Sequence, residues 1–380
     1  MDFTNKSINL LNLHSAIQRF SSNIFDTFGA IYLLSLGISF PIVALIWTSI
    51  CILGIILRPL SLMLSEKIGL KRSLILGVFI SSGLFLVLSK VNGVNSWLYF
   101  YILYLTLCDI AYWLPYNSFY AVAGDINSRG KQIGTKLGFV TLLRMVAPLS
   151  GGIIITHFGF FYLYVIAMVV MLLSVIPLFF VQDVSPGKLI SFKEAIRSID
   201  SRGMILQIGD GIFNIHSFVW TIVLFSLAGN YVTFGGLIAF EIFCTTVLFI
   251  LLGYFIDKGN GKMITNIGLL ILGLAILFRV FFVNTIPEVI FSDILIAIGM
   301  TFYLSSFEVG FYNIAKKTPN TLWFMFFGDL GWDLGAIISL ALSAYLFVLG
   351  VPLRFIIGLS LFGLFIIYYI LKNFYTLKKI

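Results

Sequence analysis

Leu64-Ser65-Glu66-Lys67-Ile68-Gly69-Leu70-Lys71-Arg72 is a short charged loop between two long apolar stretches. It reads as acid, base, any residue, glycine, then further basic residues. A weaker echo, Gly253-Tyr254-Phe255-Ile256-Asp257-Lys258-Gly259-Asn260-Gly261-Lys262, also lies between apolar stretches. Glu66 and Asp257 are 191 residues apart in a chain of 380. The spacing points to two copies of one membrane unit.

Working outward from these loops, the rest of the chain is mostly lipid-compatible. Hydrophobic residues make up 60% and charged residues 11%, which excludes a soluble protein with one large core. Apolar runs of about 20 residues are the signature of membrane-spanning helices. Twelve such spans can be drawn, at 11–36, 39–64, 71–90, 96–123, 131–156, 159–181, 204–228, 231–256, 263–283, 287–314, 321–349 and 353–373. Backbone polar groups cannot be left bare in lipid, so each span must be helical. The three cysteines, Cys51, Cys108 and Cys244, fall inside spans without metal spacing and do not suggest a disulfide framework. The N-terminus has no short apolar region followed by a small-residue cleavage site, so no cleaved signal peptide is expected.

The net charge of +8 is explained by topology rather than by nucleic acid. With the N-terminus inside, eighteen Lys and Arg fall on the cytoplasmic side, while only Lys90, Arg279 and Arg354 fall outside. That asymmetry sets orientation, puts both termini in the cytoplasm and supports an even number of spans. The longest link, 182–203, carries Ser191-Phe192-Lys193-Glu194, which has capping-box form. Phe192, Ala195, Ile196 and Ile199 then predict a short amphipathic helix on the inner membrane surface. A plain helical linker would read the same way.

The two loops resemble the signature loop of the major facilitator superfamily, which recurs between helices 2 and 3 and between helices 8 and 9. Glu66 stands for the signature Asp, Lys67 for the first Arg, and Leu62 takes the place of the leading glycine. The second copy keeps Gly253 and Asp257. Arg144-Met145-Val146-Ala147-Pro148-Leu149-Ser150-Gly151-Gly152 resembles the helix-5 pattern of the family's antiporters, with Ala147 replacing a glycine. The resemblance implies an all-α fold of two pseudo-symmetric six-helix halves, 1–181 and 204–380, joined by 182–203. It also implies that Glu66, Lys67, Gly69, Asp257 and Pro148 take part in gating, with Glu66 near Asn320 and Thr321.

Charged side chains inside a bilayer are costly and usually face the bundle interior. Here they are Arg19 and Asp26 in span 1, Arg58 in span 2, Asp109 in span 4 and Arg144 in span 5. The second half has Asp210 in span 7, Glu241 in span 8, Asp293 and Glu308 in span 10, and Asp329 and Asp333 in span 11. Spans 3, 6 and 12 have none, and span 9 has only Arg279 near its end. In the family, helices 3, 6, 9 and 12 stand outside the central cavity, so the charges follow the expected division. Asn23 and Asn214 extend polar stripes in spans 1 and 7, and Trp113 and Tyr116 an aromatic stripe in span 4. Each stripe could instead be a polar seam between helices.

The second half looks acid-rich, with no basic partner inside it. Carboxylates stripped of water and counter-charge tend to hold protons, so Glu241, Glu308, Asp329 and Asp333 are candidate proton carriers. In the first half, Asp109 is expected to pair with Arg58 or Arg144. His14, His157 and His216 are single packing or boundary residues. The expected function is secondary transport of a small molecule driven by protons or another ion, leaning to export of an amphipathic or cationic compound. Uptake, or a non-transporting sensor or assembly protein, is the alternative. No nucleotide loop, metal cluster or nucleophile motif suggests an enzyme or a cofactor. A monomer in a lipid bilayer, in a bacterial or archaeal cytoplasmic membrane, without nucleic acid, is the expected setting.

Overall fold

The computed structural model describes residues 5–126, 128–184, 191–198, 200–256 and 261–376. Among them there is no strand. The six helices of the first half are α1 (Lys6–Ser35), α2 (Phe40–Ile68), α3 (Leu70–Leu88), α4 (Ser96–Ala123), α5 (Arg129–Phe158) and α6 (Phe160–Phe179). Those of the second are α7 (Ser201–Ala228), α8 (Tyr231–Ile256), α9 (Gly261–Phe282), α10 (Ile286–Lys317), α11 (Thr321–Val348) and α12, which runs from Leu353 to Thr376 through a 3-10 turn at Ile357–Leu359. Eleven of these are long and apolar enough to cross a membrane. The first, α1, has the length, but its Asn12, Gln18, Arg19, Asn23 and Asp26 make it more polar.

Helix ends follow local chemistry. Asn95 and Asn320 cap α4 and α11 through their side chains, and Thr285 with Glu288 forms a capping box on α10. Gly69 has φ +86°, a conformation disfavoured for other residues, and so turns the chain from α2 into α3. Several helices run beyond the spans read from sequence: α5 starts at Arg129 and α10 ends at Lys317. Lys136 therefore lies about two turns inside α5.

Within each half, α3 packs on α4 and α6, and α12 on α7 and α9. Between the halves, the principal contacts are α2 with α11 and α5 with α8, and α4 and α5 also reach α10. One end of the bundle carries the α2–α3 and α4–α5 loops and the linker; we call it the linker end, and the opposite one the far end.

At the far end the seam is apolar and close. A Cβ on Gly152 would lie 2.3 Å from the Tyr231 carbonyl oxygen, and one on Gly235 would lie 2.2 Å from that of Pro148. The antiporter-like stretch is thus the surface where α5 meets α8 with no room for a side chain. Phe28 packs on Phe234, and Phe40 on Phe218 and Phe347.

At the linker end, the α2–α3 loop is held by the end of α6. The Lys71 ammonium donates to the carbonyls of Phe179 and Val181 at 2.9 and 2.8 Å, and Asp183 accepts from the Lys71 backbone N–H at 3.3 Å. In the linker, Phe192–Ser198 is helical, and Ser191 and Glu194 make capping contacts at its start. Phe192 rests against Trp323 and Phe327 at the start of α11. Ile199 lies outside the described residues.

Candidate functional site

Arg58 is the centre of an ion cluster that crosses the seam. It projects from α2, where Pro59 follows it, and its side chain is 2% exposed. Its Nη1 donates to Asp329 at 3.1 Å, and its Nη2 to Asp333 at 2.5 Å and to Asp109 at 3.3 Å. Asp329 and Asp333 are one turn apart on α11, while Asp109 comes from α4 in the same half as Arg58. Gly54, one turn before Arg58, leaves room for Asp333: a Cβ there would sit 3.3 Å from the carboxylate. The pairing expected of Asp109 is found with Arg58, not with Arg144.

Two more clusters correct the picture of an acid-rich second half without bases. Lys136 on α5 holds Glu308 on α10 at 2.9 Å, ringed by Tyr116, Tyr120 and Tyr312 at 5.0–5.9 Å. Arg279 on α9 holds Glu241 on α8 at 2.9 Å and Asp293 on α10 at 2.6 Å, and lies over the Trp220 ring at 3.9 Å. So Glu241, Glu308, Asp329 and Asp333, read as carboxylates without basic neighbours, each have one. Lys136 and Arg279 had been read as topology signals because they lie close to span ends.

The middle of the first half is different. Arg19 on α1 lies over Trp113 of α4 at 4.2 Å and makes no hydrogen bond or ion pair among the described residues. Arg144 on α5 donates from Nε and Nη2 to the Asn23 side-chain oxygen at 3.3 and 3.1 Å. The Asn23 amide returns a 3.3 Å bond to the Arg144 carbonyl. Asp26 is solvent-exposed despite its place within the bundle. It is within electrostatic reach of both arginines but pairs with neither. On the facing wall, Asp210 accepts a 2.5 Å bond from Tyr303, and Asn214, exposed one turn on, reaches Asp210 at 3.5 Å. Arg144 also interacts electrostatically with Asp26 and Glu241. An exposed polar stripe inside a bundle of apolar helices marks a central water-accessible space, lined by both halves.

Below it, at the linker end, α4 and α10 are tied by Tyr312 donating to Asn117 at 3.0 Å and by Lys316 donating to the carbonyls of Val122 and Gly124. Arg129 closes the same corner, donating to the Tyr120 and Ala121 carbonyls. Sequence reasoning did not single out Asn117 or Tyr303; their polar groups act only through partners distant in sequence. Of the gating residues, Pro148 lies in the α5–α8 contact, Gly69 makes the turn and Lys67 is exposed. Glu66 lies in the last turn of α2 and makes no hydrogen bond or ion pair among the described residues. Asn320 caps α11, its side chain accepting the Trp323 N–H at 3.0 Å. Asp257 lies outside the described residues. Among those searched, no cluster of His, Cys, Asp and Glu could hold a metal ion. His14 bonds to the Ser174 carbonyl and the Tyr112 hydroxyl, and His216 to the Phe213 carbonyl, as packing residues would.

Twelve helices in two sets of six, meeting along α2–α11 and α5–α8 around a polar centre, define the architecture of a secondary transporter. The chain belongs to the Major Facilitator Superfamily, whose model matches residues 13–321. Its fold is similar to that of the human organic anion transporter MFSD10, with a TM-score of 0.70 at 9% identity, covering 98% of this chain and 100% of that one. It is also similar to the Escherichia coli fucose:proton symporter FucP, with a TM-score of 0.70 at 12% identity over 97% and 98% of the two chains. The POT family transporter PepTSo gives a TM-score of 0.67 at 14% identity over 99% of each chain. A comparison with curated proteins finds no match. Members of this family are transporters of small molecules rather than enzymes, and usually couple to ions.

Proposed function

We propose that the protein moves a small organic molecule by proton-coupled alternating access, with 1–181 and 204–380 rocking as units about 182–203. The observation that carries this reading is that Arg58 is shared between Asp109 of its own half and Asp329 and Asp333 of the other. One guanidinium faces three carboxylates. Fully ionised, the cluster would hold two uncompensated negative charges, and each buried unbalanced ion costs several kcal/mol. Bound protons make up the difference. Parting the halves at the linker end leaves Arg58 with Asp109 and strips Asp329 and Asp333 of their base. Protonation of those two acids removes that obstacle. Cys51 on α2 and Cys108 on α4 are also in electrostatic reach of the cluster.

The distribution of Lys and Arg supports a linker end that faces the cytoplasm, and the setting in this reading is a bacterial or archaeal cytoplasmic membrane. The likeness of α5 to the antiporter pattern supports export in exchange for protons. The site is complete within one chain, which suits a monomer. The reading is tested without knowing the substrate. Lys67 and Lys317 are exposed at the linker end in opposite halves, and spin labels there, with the native cysteines replaced, report opening. Acidification should lengthen the distance in the wild-type protein. The change should disappear in Asp329→Asn/Asp333→Asn. An unaltered pH response in the double variant would remove span 11 from proton coupling.

A further inference from the structure

We infer that the central site takes an organic anion, a carboxylate, sulfonate or phosphate carried on an apolar or aromatic body, held by Arg19 and Arg144 against Trp113. The inference rests on the transporter reading and names its substrate class. It replaces the cationic guest suggested by the acids of the second half. Glu308, Glu241, Asp329 and Asp333 are each held by a base, so they do not set the charge of the guest.

The first-half wall does. Arg19 stacks on Trp113 at 4.2 Å and commits none of its N–H groups among the described residues. Arg144 commits Nε and Nη2 to Asn23, and its Nη1 makes no hydrogen bond among the described residues. Asn23 thereby fixes the Arg144 fork, and Trp113 fixes the plane of Arg19. Guanidinium forks of this kind match the geometry of carboxylate and phosphate oxygens. Only Asp26 opposes the two charges on this wall. It sits seven residues beyond Arg19, about 10 Å along the helix. It is close enough to moderate the field and too far along α1 to block both forks. The wall therefore carries one surplus positive charge, which an anionic guest would neutralise on entry. Trp113 supplies apolar surface beside it. On the facing wall the carboxylate of Asp210 is already hydrogen-bonded by Tyr303 and Asn214, and Asn214 with Ser217, both exposed on α7, offer neutral hydrogen bonds.

The test is equilibrium binding to the purified full-length protein, with no gradient. Three probes share one ring and differ in charge: phenylacetate, phenylacetamide and phenethylamine, with benzenesulfonate and phenyl phosphate as further anions. At least one anion should bind more tightly than the amide, and the amine least. Arg19→Gln and Arg144→Gln should each weaken the anion by at least about tenfold, the loss of one charge-assisted contact. Asp26→Asn should tighten it, an outcome that misfolding cannot mimic. Tightest binding by the amine, no anion binding up to about 10 mM, or unchanged affinity in Asp26→Asn and both arginine variants would overturn the inference. The spin-label experiment reads a different cluster, so either proposal can fail while the other stands.

Discussion

Arg58 and Arg279 present the same chemistry in two settings. Each is a guanidinium almost wholly out of solvent, 2% and 1% exposed, and each holds more than one carboxylate. Every partner of Arg279 is in the second half: Glu241 on α8, Asp293 on α10 and Trp220 on α7. Arg58 instead ties α2 and α4 to α11. The ion pairs of a cluster inside one half need not break when the halves move. A cluster across the seam must change when they move. The lesson is that burial and ion pairing alone do not mark a coupling site; what matters is whether the pair spans parts that separate.

The largest effect should come from breaking the internal cluster. Arg279→Gln strands Glu241 and Asp293 in a packed half, a change that typically costs about 3–5 kcal/mol. Thermal denaturation and folded yield should both fall, with the linker-end label distance unchanged in whatever protein folds. Arg58→Gln should cost less stability, because opening of the seam lets water reach the stranded acids, and it should lengthen the label distance. If the two variants destabilise equally and neither moves the labels, the contrast between the clusters is wrong.

A smaller effect should follow from Asp109→Asn. Arg58 then still holds Asp329 and Asp333, and Asp109 was already about a third exposed. The loss should be about 1 kcal/mol, the size of a single hydrogen bond. Asp210→Asn should be equally mild, since an amide oxygen can still accept from Tyr303. A loss at Asp109 several times that at Asp210, measured by chemical or thermal denaturation, would show that Arg58 depends on the acid of its own half rather than on those across the seam.

Much of the fold could be read from sequence because membrane helices announce themselves locally. Apolar length, the paired loops around Glu66 and Asp257, and the confinement of charges to eight spans are all properties of short segments. The partners of those charges are not. Arg58 and Asp333 are 275 residues apart, and nothing in either segment indicates the other. Lys136 and Arg279 were misplaced for a further physical reason. A basic residue near a span end is ordinarily held by interfacial water and phosphate, and only packing shows that these two turn inward to Glu308, Glu241 and Asp293.

A third arginine–aspartate pair calibrates the other two in water. Asp200 and Arg202, at the start of α7, meet at 2.6 Å with side chains 23% and 44% exposed. Hydrogen bonding from the Arg202 side chain holds the Asp200 carboxyl below the usual carboxylate range. A lowered value means the pair stabilises the folded state above the ordinary carboxylate pKa, and that this contribution is lost as pH falls through the lowered one. Solvent screening limits it to about 0–1 kcal/mol. Asp200 also caps α7 by accepting the Arg202 backbone N–H at 3.0 Å, a role that Asn can keep. Asp200→Asn therefore isolates the charge. The variant should be less stable than the parent by no more than about 1 kcal/mol at neutral pH, and the gap should close in acid and narrow in high salt. Denaturation curves at two pH values and two salt concentrations measure this. A gap that persists in acid would mean that the cap, not the charge, sets the cost. A gap as large as that of Arg279→Gln would mean that burial is not what separates the three pairs.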